Sequence, residues 1–121
     1  MVKKILLGFH DENSLQTLLM YSRVFKYSPD TAATREEILK LARENQYERV
    51  AVDINLGNEG AVDTTSLEQV KEIMSERLKS GLTKLVGLSG NEDTVKLALS
   101  KGLPAENKAF FKYSAFFGES K

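Results

Sequence analysis

Four polar side chains that could carry phosphoryl chemistry each stand at the end of a short apolar segment: Asp11, Asp53, Ser89 and Lys112. Carboxylate oxygens are ligands that Mg²⁺ prefers, and a carboxylate can also act as a nucleophile. A hydroxyl and an ammonium group are suited to binding the oxygens of a transferred phosphoryl group. If the four side chains meet, the set suits phosphoryl transfer to an aspartate.

The elements that must position these side chains alternate along the chain. Short apolar runs separate segments in which apolar residues recur every three or four positions, the spacing of an amphipathic helix. Thr34 and Glu37 form a capping box that predicts a helix start, and Asn91 is suited to cap a later helix. The predicted strands are 5–9, 24–27, 50–54, 82–88 and 109–113, and the predicted helices are 13–23, 34 onward, 66–78 and 91–101.

Strands that alternate with helices predict an α/β fold, with a parallel sheet that is covered by helices on both faces. The carboxyl ends of parallel strands lie at one edge of the sheet, and ligands bind there in such folds. If strands 1, 3, 4 and 5 are neighbours, their polar ends face one crevice. The tail 114–121 offers at most a short helix.

The composition excludes several other classes of site. The chain has 121 residues, no cysteine and a single histidine, His10, which excludes disulfide scaffolds, thiol nucleophiles and multi-histidine metal sites. Its 17 basic and 17 acidic residues balance, which argues against general binding of nucleic acid. No apolar run approaches the roughly 20 residues that span a bilayer. We therefore expect one cytoplasmic domain, residues 1–121, that binds neither nucleic acid nor membrane.

Several stretches resemble the receiver domain of two-component response regulators, of the CheY type, over nearly the whole chain. The stretch from Ile5 to Leu19 is similar to the family's first strand, acidic pair and first helix. Asp53-Ile54-Asn55-Leu56 resembles its phosphoacceptor turn, Ser89-Gly90 its Ser/Thr-Ala/Gly pair, and Lys112 the lysine that ends its fifth strand. The resemblance implies a flavodoxin-like, five-stranded parallel sheet in the order 2-1-3-4-5, with a short or missing last helix.

The resemblance also implies a role for each of these residues. Asp53 would accept the phosphoryl group. Asp11, Asp53 and the backbone carbonyl of Asn55 would bind Mg²⁺. The Ser89 hydroxyl would bond to a phosphoryl oxygen, and Lys112 would pair with the acyl phosphate.

The sequence departs from the family pattern at four positions. His10 stands where the family has its first acid, so it is either a weak metal ligand or a partly exposed polar residue at a strand end. Gly57 replaces the proline that the family commonly has four residues after the phosphoacceptor, and the loop 57–66 is expanded. Tyr113 replaces the proline that commonly follows the lysine. The family's switch aromatic has no clean match, and Phe110 is the nearest candidate.

The resemblance implies a phosphoacceptor rather than an enzyme, since such a domain at most hydrolyses its own aspartyl phosphate. Its partners would be a sensor histidine kinase or phosphotransfer protein and a downstream protein. One alternative is a pseudo-receiver, which would keep the fold as a phosphorylation-independent interaction module. Another is a small phosphate-handling enzyme or nucleotide binder, although the sequence has no glycine-rich phosphate loop.

Overall fold

The computed structural model describes residues 3–58 and 62–118, which form five strands and six helices. Among these residues, no helix is both long enough and apolar enough to cross a membrane. The strands are β1 (Lys3–Gly8), β2 (Tyr27–Ala32), β3 (Arg49–Asp53), β4 (Lys84–Ser89) and β5 (Ala105–Asn107). The helices are α1 (Glu12–Val24), α2 (Arg35–Glu44), α3 (Thr65–Ile73), α4 (Ser75–Lys79), α5 (Glu92–Ser100) and α6 (Tyr113–Gly118).

All strand pairs are parallel, and the sheet order is β2-β1-β3-β4-β5, which confirms the predicted α/β fold and its strand order. Two apolar cores lie on opposite faces of the sheet. Side chains of α1 and α6 contribute to one core, and side chains of α2, α3 and α5 to the other. Because β1 and β3 are buried on both faces, their sequences are continuous apolar runs rather than alternating ones.

Three helices begin directly after a residue whose side chain caps the helix. The Thr34 side chain accepts a hydrogen bond from the Glu37 amide, and Asn91 accepts one from the Thr94 amide. Both caps confirm predicted helix starts, and Asp11 caps α1 in the same manner. The helix predicted over 66–78 is two helices, α3 and α4, which are separated at Met74.

The prediction for the second strand was wrong. The predicted segment 24–27 belongs mostly to the end of α1 and its turn, where Val24 is 65% exposed and Lys26 has a left-handed φ of 64°. The strand follows at Tyr27–Ala32 and includes Pro29. Proline is tolerated there because β2 is an edge strand that pairs only with β1.

The prediction for the fifth strand was also wrong, and this error affects the site. β5 is the polar segment Ala105–Asn107, while most of the predicted strand 109–113 precedes α6. Phe110 is 78% exposed outside any strand, so it is not a strand-5 aromatic; Phe111 packs in the core beside α1. The short last helix is confirmed, since α6 has six residues. Residues 59–61 of the loop predicted to be expanded lie outside the described part.

Candidate functional site

The carboxyl ends of β1, β3 and β4 bring three of the four predicted side chains to one edge of the sheet. In the strand register Asp53 stands opposite Leu88, so Ser89 is one residue beyond it on the neighbouring strand. Asp11 follows β1, which pairs with β3 on the side opposite β4. The edge therefore combines two carboxylates and a hydroxyl, as the sequence predicts.

The Asp11 carboxylate is an N-cap as well as a candidate metal ligand. It accepts hydrogen bonds from the amides of Asn13 at 3.3 Å and Ser14 at 3.2 Å. The Ser14 hydroxyl also donates to its Oδ2 atom at 2.6 Å. This hydroxyl, together with the two amides, holds the pKa of Asp11 below its ordinary value. Asp11 therefore stays ionised at neutral pH, in the form that binds a cation.

Lys108, not Lys112, is the lysine that follows the last strand. Its amide donates to the Ser89 carbonyl at 3.0 Å, which continues the β4–β5 pairing. Its Nζ atom lies 2.8 Å from Ser14 Oγ and 3.7 Å from an Asp11 carboxylate oxygen. Lys112 is exposed and lines a groove on the outer edge of the sheet.

The sequence favours Lys112 because the aromatic run around it has high strand propensity, which the fold does not use for a strand. A stronger signal was present in the sequence. Gly102 and Pro104 end the preceding helix and start a new segment, and Lys108 is the first lysine after them. Ala109, rather than Tyr113, therefore stands at the position after the lysine, where the family commonly has proline.

Asp53 is half-buried at the end of β3, and its Oδ1 atom accepts the Asn55 amide at 3.1 Å. The Asn55 carbonyl, which the resemblance implies as a metal ligand, accepts the Asn58 amide at 2.8 Å. A carbonyl oxygen has two lone pairs, so this bond leaves one of them for a cation. The turn thus holds both the carboxylate and the carbonyl in fixed orientations.

Ser89 is only 5% exposed, and its hydroxyl oxygen accepts the Asn91 amide at 3.0 Å. Asn91 in turn caps α5. The start of α5 therefore fixes the position of the Ser89 oxygen beside Asp53. Because the oxygen is used as an acceptor, the hydroxyl proton can be donated to a phosphoryl oxygen.

His10 is exposed and lines a cavity of about 320 Å³ together with Thr34, Arg35 and Gly57. Among residues 3–58 and 62–118, no three histidine, cysteine, aspartate or glutamate side chains form a group that could hold a metal ion. His10 therefore does not complete a three-residue ligand cluster with Asp11 and Asp53. The candidate metal donors are the two carboxylates and the Asn55 carbonyl.

A hydrogen-bonded ion pair between Arg35 and Asp63 lies at this end of the sheet, and the sequence does not predict it. Arg35 donates to Asp63 at 3.1 Å and to the Ser66 hydroxyl at 2.8 Å. The Asp63 amide donates to the Asn55 side chain at 3.2 Å. Gly57 has a φ of +92°, and a Cβ atom there would lie 3.0 Å from Arg35 atoms. The Arg35 side chain thus packs over the turn that carries the candidate phosphoacceptor.

Replacing Asp63 with alanine is expected to lower the free energy of unfolding by about 1–2 kcal/mol at pH 7. Asp63 accepts hydrogen bonds from the hydroxyl and the amide of Thr65 at the start of α3, and these bonds are lost. The Thr65 hydroxyl is the main cause of a pKa far below the ordinary aspartate value. The folded-state pKa is depressed, so this stabilisation is present above the unfolded pKa and is lost as the pH falls through the folded-state pKa.

Urea unfolding of both proteins at pH 7 and at acid pH measures this effect. We expect the difference between wild type and Asp63→Ala to narrow under acid conditions. The control is Asp93→Ala, because Asp93 is an exposed residue in the first turn of α5. The Asp93→Ala substitution should lower the free energy of unfolding by about 0.5 kcal/mol, because only the favourable interaction of this carboxylate with the helix dipole is lost. Equal losses in the two variants would contradict this account of Asp63.

No protein-family model matches the chain, and a search of curated proteins finds no match. Solved structures do match. A response regulator from Burkholderia pseudomallei, solved with a phosphorylated aspartic acid, a calcium ion and citrate, is 23% identical with a TM-score of 0.69. The match covers 95% of this chain and 66% of that one.

Two further structures agree with this result. A CheY-like receiver domain protein from Methanospirillum hungatei JF-1 is 18% identical with a TM-score of 0.70, and the match covers 98% of this chain and 90% of that one. The BeF3-activated DrrB receiver domain is 19% identical with a TM-score of 0.68, with coverage of 98% and 93%. At these identities the likeness establishes the fold, which is that of CheY-like receiver domains.

Proposed function

We propose that this chain, which has the fold of a receiver domain, accepts a phosphoryl group on Asp53 in a two-component signalling system. The observation that carries the proposal is that Asp53 shares one edge of the sheet with two groups that can bind a phosphoryl oxygen. The Ser89 hydroxyl is next to it on the adjacent strand, and Lys108 follows the strand after that. The chain is then a signalling domain that is modified by a partner rather than an enzyme with its own substrate.

The chemistry requires little of the protein beyond orientation and charge. An Asp53 oxygen attacks the phosphorus atom of the donor and forms a P–O bond, while the bond to the leaving group breaks and the leaving group keeps the electron pair. The Lys108 ammonium and the Ser89 hydroxyl then stabilise the negative charge on the phosphoryl oxygens. Attack by water on the acyl phosphate reverses the modification and yields a free carboxylate and inorganic phosphate.

The residues at this edge fit Mg²⁺. Asp11, Asp53 and the Asn55 carbonyl are hard oxygen donors, and Mg²⁺ commonly uses one or two carboxylates while it retains several waters. The Burkholderia structure holds a calcium ion and a phosphorylated aspartic acid, which supports a divalent cation here. A bound Mg²⁺ would neutralise charge on the phosphoryl oxygens. His10 supplies no carboxylate where the family has its first acid, so we expect a low affinity for Mg²⁺.

The variant His10→Asp is expected to lower the Mg²⁺ concentration required for half-maximal binding by about 30-fold. An added charge about 4 Å from a divalent ion contributes about 2 kcal/mol even at the dielectric constant of water. Isothermal titration of both proteins with MgCl₂ measures the change. His10→Asn, which adds no charge, is the control and should bind as the wild type does. An unchanged affinity in His10→Asp would show that position 10 does not face the cation.

Before phosphorylation, Lys108 is bound to Ser14 and Asp11. A phosphoryl group on Asp53 is a stronger attraction for the ammonium group, because it carries more than one negative charge at pH 7. Lys108 and Ser89 then move toward it, which shifts a pre-existing equilibrium at the face formed by α5 and β5. The donor would be a sensor histidine kinase or a phosphotransfer protein, and the altered face would bind a downstream protein.

Beryllium trifluoride, which mimics a phosphoryl group on a carboxylate, tests the proposal without a kinase. With Mg²⁺ present, we expect it to shift the amide resonances of Ser89 and Lys108 in a ¹⁵N-labelled sample, and the signal of Lys112 to stay in place. Omission of Mg²⁺ is the control and should abolish the shifts. Unchanged spectra of Ser89 and Lys108 at saturating reagent would contradict a phosphoacceptor role.

That negative outcome would favour the pseudo-receiver. The observation on its side is the incomplete acidic set, since His10 replaces the first acid and no three-residue metal cluster forms among the described residues. In that case the ion pair between Lys108 and Asp11 would be the permanent state of the site, and the chain would bind its partners without phosphorylation.

A further inference from the structure

The turn that follows β3 carries two of the three candidate cation donors, the Asp53 carboxylate and the Asn55 carbonyl. The Asn55 amide donates to Asp53 Oδ1 at 3.1 Å, and the Asn58 amide donates to the Asn55 carbonyl at 2.8 Å. Gly57 lies within the turn with a φ of +92°. Glycine loses more conformational freedom on ordering than any other residue, so a turn that contains it gains from support by neighbouring elements.

Arg35, the first residue of α2, supports this turn by one route through Ser66. Its Nε atom donates to Ser66 Oγ at 2.8 Å, and the Ser66 hydroxyl donates to the Leu56 carbonyl. Ser66 and Leu56 are both fully buried. Since a buried polar group that loses its partner destabilises the fold, this route is costly to break.

A second route runs from Arg35 through Asp63. Arg35 Nη2 donates to Asp63 Oδ2 at 3.1 Å, and the Asn58 side-chain amide donates to the same oxygen at 3.2 Å. The Asp63 amide donates to Asn55 Oδ1 at 3.2 Å. Asp63 therefore contacts both residues of the hydrogen bond that orients the Asn55 carbonyl.

The two routes start from different nitrogen atoms of one guanidinium group. This group is planar and its donors have a fixed geometry, so Arg35 also fixes Asp63 and Ser66 relative to each other. The side chains of Arg35 and Asp63 are only 29% and 21% exposed, so salt and water screen their ion pair less than a pair at the surface. We call Arg35, Asp63 and Ser66 the turn brace.

We infer that Arg35 and Asp63 are positioning residues for the cation site, because the turn brace keeps the Asn55 carbonyl and the Asp53 carboxylate in the orientation in which both bind one ion. Neither Arg35 nor Asp63 contacts the cation itself. The inference rests on the proposed function, since it takes Mg²⁺ to bind at this turn. Groups that orient metal ligands typically raise the metal affinity by about 10–100-fold.

Arg35→Gln separates positioning from simple electrostatics by the sign of its effect. The substitution removes a positive charge and leaves the Asp63 carboxylate without its ion-pair partner, so charge alone would raise the affinity for Mg²⁺. A positioning role predicts the opposite, a loss of affinity of about tenfold. Titration of a ¹⁵N-labelled sample with MgCl₂, followed at the amide resonances of Asn55 and Asn58, measures the dissociation constant.

Three further variants sharpen the comparison. Arg43→Gln is the matched control and should bind Mg²⁺ as the wild type does, because Arg43 is an exposed residue in the last turn of the same helix. Arg35→Lys keeps the charge but cannot replace both donated bonds, so its affinity should lie between those of the wild type and Arg35→Gln. The double variant Arg35→Gln/Asp63→Asn should bind as weakly as Arg35→Gln, since residues that act as one unit are not additive.

A measurement without metal tests the turn brace directly. The Asn58 amide is protected by its bond to the Asn55 carbonyl, and its hydrogen exchange should be faster in Arg35→Gln than in the wild type or Arg43→Gln. The amide resonances of β1 and β4 should stay in place, which would show that the fold is intact. Faster exchange at Asn58 together with weaker Mg²⁺ binding would support the inference.

Four results would overturn it. Unchanged or tighter Mg²⁺ binding by a folded Arg35→Gln would do so and would leave the proposed function intact. Recovery of the wild-type affinity in the double variant would show that charge alone acts. If Arg35→Gln does not fold, wild-type affinity in Arg35→Lys would have the same force. Absence of Mg²⁺ binding by the wild type would overturn the inference together with the proposed cation site, so the two failures are distinguishable.

Discussion

Replacing Lys108 with alanine is expected to lower the rate of phosphorylation from a small-molecule donor by about 100-fold. Removal of one positioned donor to a developing oxyanion typically costs a factor of about 10²–10³. Lys108 follows β5 at the same edge as Ser89, and its ammonium is held near this edge by Ser14 and Asp11. Single-turnover phosphorylation with acetyl phosphate and Mg²⁺ measures the effect.

Lys112→Ala is the matched control, because it removes the same charge from a residue that lies outside the site. We expect it to be phosphorylated at the wild-type rate. Thermal unfolding should show that both variants remain folded, since a partly exposed ion pair contributes at most about 1 kcal/mol. A loss of rate in Lys112→Ala with a normal Lys108→Ala would contradict the assignment and restore the one made from sequence.

The fold could be predicted from sequence wherever a strand is buried on both faces. β1, β3 and β4 are continuous apolar runs, and the capping residues Thr34 and Asn91 mark the starts of α2 and α5. These signals are local, because burial of a whole strand dictates every residue in it. They were enough to identify the parallel sheet, whereas its strand order came from the resemblance to receiver domains.

The two edge strands could not be predicted in the same way. β2 contains a proline and an aspartate, and β5 has only Ala105 buried among its three residues. An edge strand needs few apolar residues, so its position is decided by what packs around it rather than by its own sequence. The aromatic run at 109–113 has a stronger local preference for a strand than β5 has. In the structure, its aromatic side chains pack near α1 and α6 instead.

The difference between central and edge strands also decides which site residues could be predicted. Asp53 and Ser89 end central strands and Asp11 comes shortly after one, so their placement at one edge was predictable. Lys108 follows an edge strand, so the error in β5 moved the predicted lysine by four positions. The hydrogen bond between Arg35 and Asp63 joins residues that are 28 positions apart, and no periodicity in the sequence indicates such a pair.

The central claim is that Asp53 itself becomes phosphorylated, and direct identification of the modified residue tests it. Wild-type protein is incubated with acetyl phosphate and Mg²⁺ and then treated with borohydride, which reduces an aspartyl phosphate to a stable homoserine. Peptide mass spectrometry then locates the reduced residue. Asp93→Asn removes an exposed aspartate outside the site and serves as the control for Asp53→Asn.

We predict homoserine at position 53 in the wild type and in Asp93→Asn, and complete loss of modification in Asp53→Asn. The loss is expected to be complete because an amide nitrogen cannot replace the carboxylate as the nucleophile. Modification of a different aspartate, or equal modification of the wild type and Asp53→Asn, would contradict the account.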